Sequence, residues 1–248
     1  MNYEFNVLVK NKKERKLFPI KKYLDKKGNE WVEAREGSIF ALKFKNNSDK
    51  SVLIVSSIDG INVINGKRAL IEPRAGYVVF PRSPLIIEGW RIGQDSIREF
   101  LFTSNKSESY SYKLGADKAN VGVIGFAVFE ESMERYDYNW NADNLEKYYP
   151  ICTNDSITPT VFYNSLTSNC VVDTCSFTNS KDTSFSMATA QGQERLCSSY
   201  YSSKEFNSFP SSIKVIYYDS RKNLIKKEII RQEEKMPNPF KSEFCPNL

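Results

Sequence analysis

Histidine is missing from all 248 residues. Its absence removes Ser-His-Asp and Cys-His nucleophile systems, His-ligated zinc and an imidazole proton shuttle. Carboxylate pairs, lysine and tyrosine chemistry stay open. No cysteine precedes Cys152, and the others are Cys170, Cys175, Cys197 and Cys245. The number is odd, no Cys-x-x-Cys occurs, and the step from Cys170 to Cys175 fits a zinc ribbon poorly. Free thiols in a reducing compartment are therefore expected, with no bound metal and no cofactor. No apolar run reaches 18 residues, so no membrane span is expected. The opening Met1-Asn2-Tyr3-Glu4-Phe5 lacks a basic segment followed by an apolar one. That predicts no signal peptide, and a protein kept in the cytoplasm or in a particle assembled there. A P-loop, a dinucleotide fingerprint, a zincin motif and a Gly-x-Ser-x-Gly elbow are also missing. Gly122-Val123-Ile124-Gly125 has no third glycine and no helix to follow, and reads as structural.

What is present points to strands. Hydrophobic residues make up 40% and charged residues 26%, enough for a buried core. The 16 Phe and 14 Tyr favour β structure over a helical bundle. Tyr3, Phe5, Val7 and Val9 alternate as in a strand. Phe40, Leu42 and Phe44 lie on one face of a strand over residues 38–45. Asn46-Asn47-Ser48-Asp49 turns, and residues 51–57 follow as the expected hairpin partner. Val52 to Val55 fill both faces, which suits a central strand. Asp59-Gly60 and Asn65-Gly66 are turn formers around Ile61 to Ile64. Further short strands are expected at 77–80, 85–87, 98–103 and 120–129, the last with Gly122 and Gly125 inside it.

Eight to ten such strands predict an all-β fold, an antiparallel β-sandwich or jelly roll with long polar loops. Residues 1–131 form the expected core. Residues 132–210 are rich in Ser, Thr, Asn and Tyr and read as a polar, aromatic-rich loop region. Residues 211–231 read as a closing hairpin of the core, with Leu224 to Ile230 returning along residues 211–218. Residues 232–248 read as an extended tail. The best helix candidate is Asn141 to Tyr149.

Candidate site residues are few. Trp90 beside Arg91 has the makings of a stacking platform for a base or sugar, although a core Trp is the commoner outcome. Asp59 is a loop carboxylate that fits a turn better than a catalytic acid. Glu130-Glu131 and Glu233-Glu234 are adjacent pairs whose members point to opposite faces of a strand. The first fifty residues carry 13 Lys/Arg against 7 Asp/Glu. The run Lys10, Lys12, Lys13, Arg15, Lys16, Lys21, Lys22, Lys26, Lys27 is a candidate anion-attracting surface, with a solvated face as the blander reading. Tyr136, Tyr138, Trp140, Tyr148 and Tyr149 cluster within 14 residues. Tyr and Trp are enriched at protein interfaces, so this cluster is the candidate contact segment.

An ordered series of motifs runs from Trp31-Val32-Glu33-Ala34-Arg35-Glu36-Gly37 through Ser57-Ile58-Asp59-Gly60-Ile61-Asn62-Val63-Ile64-Asn65-Gly66-Lys67. Gly76-Tyr77-Val78-Val79, Gly89-Trp90-Arg91 and Asn120-Val121-Gly122-Val123-Ile124-Gly125-Phe126-Ala127-Val128-Phe129 continue it. The block resembles an uncharacterised family of β-rich proteins of bacteria, mobile elements and large DNA viruses. Ile216-Tyr217-Tyr218-Asp219 resembles that family's end. The family tends to carry a glycine-rich loop before it. Here Met187-Ala188-Thr189-Ala190-Gln191-Gly192 keeps one glycine, which weighs against a phosphate cradle there. The resemblance implies a β fold and supplies no activity.

Two functions follow. The first is a non-enzymatic structural or assembly protein, such as a minor capsid or other particle component, whose partners are other protein chains. The second is a binding module for carbohydrate or nucleic acid, using Trp90, Arg91 and the basic N-terminal third.

Overall fold

Period-two burial begins at the first strand, where Phe5 and Val7 turn inward, and it recurs in the strand Pro84–Ile87, where Leu85 and Ile87 are buried. A computed structural model describes residues 2–11, 13, 15–115, 118–132, 151–152, 160–163, 187–202 and 204–231, with the backbone alone at 151–152, 160–163 and 200–201. In chain order its elements are β1 (Tyr3–Lys10), β2 (Leu17–Pro19), β3 (Lys22–Leu24), β4 (Glu30–Glu33), β5 (Ile39–Asn46), β6 (Val52–Ile58), β7 (Ile61–Asn62), β8 (Gly76–Val79), β9 (Pro84–Ile87) and β10 (Gly89–Arg91). There follow β11 (Ser96–Thr103), α1 (Tyr110–Lys113), β12 (Val123–Glu130), β13 (Ile151–Cys152), β14 (Thr160–Tyr163), β15 (Ala188–Leu196), β16 (Tyr200–Tyr201), β17 (Ser212–Asp219) and α2 (Arg221–Lys226).

The strands form two sheets. The first runs β10-β11-β5-β1-β2, with β15 on β11 and β9 on β5. The second runs β13-β14-β8-β6-β12-β17-β4-β3, with β7 on β6 and β16 on β14. One apolar core lies between them. Phe40, Leu42, Phe44, Trp90, Phe100 and Phe102 enter it from the first sheet. Ile54, Ile58, Ile124, Phe126, Ile216 and Tyr218 enter it from the second. The fold is the expected all-β, sandwich-like one. It is not wholly antiparallel, because β17 pairs β4 in parallel and β14 pairs β16 in parallel.

Several local expectations hold. Ile58 pairs with Ile61 around Asp59-Gly60, and both turn residues have positive φ (53° and 78°), as a two-residue type I′ hairpin requires. Strand β6 is central and buried on both faces. Gly125 lies inside β12, where an added Cβ would come within 2.7 Å of Ser57 Oγ. Gly122 lies just before the strand instead of within it, at φ 84°.

The expected hairpin over residues 38–57 does not form. Both strands exist, but β5 belongs to the first sheet and β6 to the second. Each is already paired on both edges, β5 by β1 and by β9 with β11, β6 by β12 and by β7 with β8. Neither has an edge left for the other, so the chain crosses between the layers. Asn46 anchors that crossing from a fully buried position. Its Nδ2 donates to Lys50 O (2.8 Å), Phe80 O (3.1 Å) and Val79 O (3.3 Å), and its Oδ1 accepts from Ser48 N and Oγ.

The closing hairpin is corrected too. After β17 the chain enters helix α2, not a return strand. Ser220 caps it, accepting from Asn223 N–H through Oγ, while Asp219 takes Asn223 Nδ2 and Lys227 Nζ. Leu224 is buried beneath it. Residues 187–192, read from the sequence as the remnant of a loop, lead into and build β15, the longest strand described. It pairs along the whole of β11, with an irregularity between Arg98 and Phe100. The helix candidate 141–149, the tail 232–248 and Cys170, Cys175 and Cys245 lie outside the described residues.

Removing the Asn46 side chain takes a donor from three carbonyls at the crossing, of which that of Val79 is buried. Asn46→Ala is expected to lower stability by about 2 kcal/mol. Asn47→Ala, which loses only an exposed bond to Glu4, is expected to cost under about 0.5 kcal/mol. Urea unfolding of the two variants checks the difference.

Candidate functional sites: a buried carboxylate and a cationic groove

Trp90 and Arg91 adjoin in sequence and part in space. Trp90 is a core residue with 2% of its surface exposed. Its ring meets Phe100 edge-on (5.2 Å, 87°) and Tyr110 at a tilt (4.7 Å, 52°). No face is left for a base or sugar. Arg91 points the other way and fastens the turn after β10 to the segment after β15. Its guanidinium donates to Gln94 O (3.1 Å), to Cys197 O and to Cys197 Sγ (3.4 Å). The space beside Arg91 and Cys197 measures about 10 Å³, room for one water. The pair is therefore part of the scaffold. Gly89, just ahead of it, is required by contact: a Cβ there would sit 2.2 Å from Arg98 O.

Asp59 is also interior, with 1% of its surface exposed. Its Oδ1 accepts from Tyr218 Oη–H (2.6 Å) and Gly122 N–H (2.8 Å), and its Oδ2 accepts from Thr189 N–H (2.9 Å). Thr189 Oγ1 lies 2.8 Å from Tyr218 Oη. The phenol proton is committed to Asp59, so the threonine hydroxyl donates to the tyrosine oxygen. Thr189 belongs to the first sheet and Tyr218 to the second, where Asp59 sits in the β6–β7 turn and Gly122 just ahead of β12. The network thus bolts the sheets together. Burial pushes the Asp59 carboxyl up to about 6, against the pull of its donors. Burial, and then the Asp59 charge, push the Tyr218 phenol well above its usual range.

The basic N-terminal run is dispersed. Lys10 reaches Glu99 (2.7 Å) on the first sheet. Lys22 bonds Phe5 O and Glu30 on the second. Lys26 pairs with Glu228 in solvent. These lysines make no single stripe of the kind that tracks a nucleic-acid backbone. Tyr136, Tyr138, Trp140, Tyr148 and Tyr149 lie outside the described residues.

Two features go beyond the sequence reading, although alternation already puts Ile213, Val215 and Tyr217 on one face of a strand. One is the outward face of the second sheet. Register puts Ile213 opposite Ala127, Val215 opposite Gly125 and Tyr217 opposite Val123. Ala127 faces away from the main core, in a smaller cluster with Leu53, Val55, Val78 and Phe129. Ile213, Val215 and Tyr217 therefore point outward as well. Tyr217 stacks on Trp31 of β4 (4.8 Å, 26°), which is opposite Tyr23 of β3. Asp25 takes the Trp31 indole N–H (3.1 Å), and Lys227 Nζ sits 4.6 Å from the Trp31 ring centre. Burial raises the Asp25 carboxyl, but hydrogen bonds from Asn29, Trp31 and Lys27 outweigh it and bring it to about 2. Trp31 is thereby fixed in orientation.

The other feature is a groove of about 340 Å³ where the edge strands β2 and β3 meet. Val9, Pro19, Ile20 and Tyr23 give it apolar and aromatic walls over the buried Phe102, and Lys21, Arg35, Arg221 and Glu33 give it charge. Its residues come from six elements and the joints between them, so no local motif announces it. Of its charged residues, Lys21 draws notice in the basic run, and Glu33 and Arg35 in the first motif.

Among the described residues, no group of three or more acidic or cysteine side chains gathers to hold a metal ion, and no helix is long and apolar enough to cross a membrane. Compared with family models, curated proteins and solved structures, the chain has no match in any of the three.

The Asp59 shift carries a sign. A carboxyl raised from an ordinary 3.8 to about 6 binds its proton more tightly in the folded state. Its contribution, about 3 kcal/mol, is full below pH 4 and is lost as pH rises to about 6. Asp59→Asn removes that titration. The stability difference between the wild type and Asp59→Asn, from urea unfolding at pH 4, 5, 6 and 7, should shift against the wild type by about that amount across the window. A difference that stays level would contradict the assignment.

Proposed function

We propose that the protein is a non-enzymatic β-sandwich subunit that works by packing against other protein chains, copies of itself first among them. The outward face of β17 and β4 carries this reading. A sheet face meant for water shows polar residues at alternate positions. Here the outward positions of β17 are Ile213, Val215 and Tyr217, with Trp31 beside them, and Ile213 is 54% exposed. Phe209, just upstream, is 84% exposed. An apolar centre with Tyr and Trp, rimmed by charges such as Lys26, Lys227 and Glu228, has the composition of a protein-contact surface. The lack of histidine fits a role without acid-base turnover. A capsid-like particle is the specific setting we favour, because two-sheet β subunits suit closed shells. The aromatic cluster from Tyr136 to Tyr149 is proposed as a second contact segment.

Ile213→Glu places a charge at the centre of this face without touching the core. Sedimentation velocity should show the wild type associating with rising concentration and Ile213→Glu remaining a monomer, with the unfolding midpoint unchanged. A wild type that stays monomeric throughout, or a variant that associates as the wild type does, overturns the reading.

A further inference from the structure

We propose that the groove between β2 and β3 binds a phosphomonoester carried on a single ring, such as a nucleoside or sugar monophosphate. Charge is the first argument. Glu33 accepts from Arg35 Nε through Oε1 (2.9 Å) and from Arg221 Nη1 through Oε2 (3.1 Å). One carboxylate thus gathers two guanidinium groups on one wall. Lys21 adds a third cation, and its Nζ lies 5.2 Å from the centre of the Tyr23 ring. Among the residues that line the groove, three cations stand against one carboxylate, an excess of two positive charges. A phosphomonoester carries close to two negative charges at neutral pH.

Shape is the second argument. Arginine forks match phosphate oxygens in pairs, and a lysine supplies a point charge beside them. Glu33 holds Arg35 by Nε, which leaves its two terminal nitrogens facing outward from a side chain 76% exposed. Glu33 therefore acts as a positioning residue that sets both forks at the mouth. Beneath them Tyr23 offers aromatic surface, and Val9, Pro19 and Ile20 offer apolar surface, for a ring. A volume of about 340 Å³ is near the lower end for small-molecule sites and admits one ring system with one phosphate. A dinucleotide is too large.

The site does not depend on the contact face proposed above, and its test uses different variants. Isothermal titration calorimetry on the full chain at low salt would use AMP, glucose 6-phosphate, adenosine, glucose and inorganic phosphate. At least one phosphomonoester should bind about tenfold or more tightly than its own unphosphorylated ring and than inorganic phosphate. Preference for AMP identifies a nucleoside ring, and preference for glucose 6-phosphate a sugar. Lys21→Gln and Arg35→Gln should each weaken that ester about tenfold with unchanged unfolding midpoints. Lys21 lies in the exposed connector between β2 and β3, so its variant keeps the test valid if Arg35→Gln perturbs the β4–β5 connection. Three results would overturn the proposal: no saturable binding at millimolar ester, inorganic phosphate binding as tightly as the esters, or both variants binding like the wild type.

Discussion

The hydrogen-bonded carboxylate of Asp59 is the constraint on which the sandwich depends. Two sheets packed only by apolar contacts can slide, because dispersion and burial have no direction. Asp59 supplies direction. It sits at a hairpin tip in a left-handed conformation, takes the amide of Gly122 ahead of β12, and grips the amide of Thr189 across the layer boundary. Tyr218 closes the ring from β17. A carboxylate in such a place is expensive to desolvate, and the donors around it offset only part of that cost. The fold retains it at a turn that polar side chains ordinarily occupy in water. That placement locates β15, a strand of small and polar residues, on the edge of the first sheet.

The second sheet has a different problem. Its central strand is apolar on both faces, so the sheet needs cover on two sides. The inner side meets the first sheet. On the outer side Leu53, Val55, Val78, Ala127 and Phe129 are covered, with Phe80 and Phe206 against them. Toward β17 and β4 the same face continues as Ile213, Val215, Tyr217 and Trp31, where cover is incomplete. At the far margin, Tyr23 joins this face to the cationic groove. Contact surface and groove thus share one edge of the molecule, built where β3 closes the sheet.

Much of the fold was legible because strands announce themselves by alternation. Phe5 with Val7, and Phe40, Leu42 and Phe44, show this from period alone. The Asp59-Gly60 turn was legible from the backbone demand of a tight hairpin. The burial of Trp90 followed from its strand context. Pairing was not legible. Nothing in Asn46-Asn47-Ser48-Asp49 distinguishes a hairpin from a crossing between layers, because either uses turn residues. The distinction lies in which edges are already occupied, a global property. Strand β15 has Thr189 as its one β-branched residue and no aromatic, and is made a strand by its partner β11. Helix α2 was missed although Ser220 was available as a cap, because Leu224, Ile225, Ile229 and Ile230 also suit a strand. The groove is assembled from distant segments, and the sequence offers no spacing by which to find it.

The parallel pairing of β4 with β17 sets Glu30 opposite Ile216, almost the whole described chain apart. Strand β3 in turn hangs on β4. During synthesis the margin of the second sheet cannot close until β17, the last strand among the described residues, has left the ribosome. Until then β4 waits with an unsatisfied edge, and the sandwich stays open on that side. Folding must therefore be slow and governed by distant contacts, as high contact order dictates. A chain cut short before β17 would expose an apolar edge ready to pair with a neighbour's, so such fragments should aggregate instead of folding.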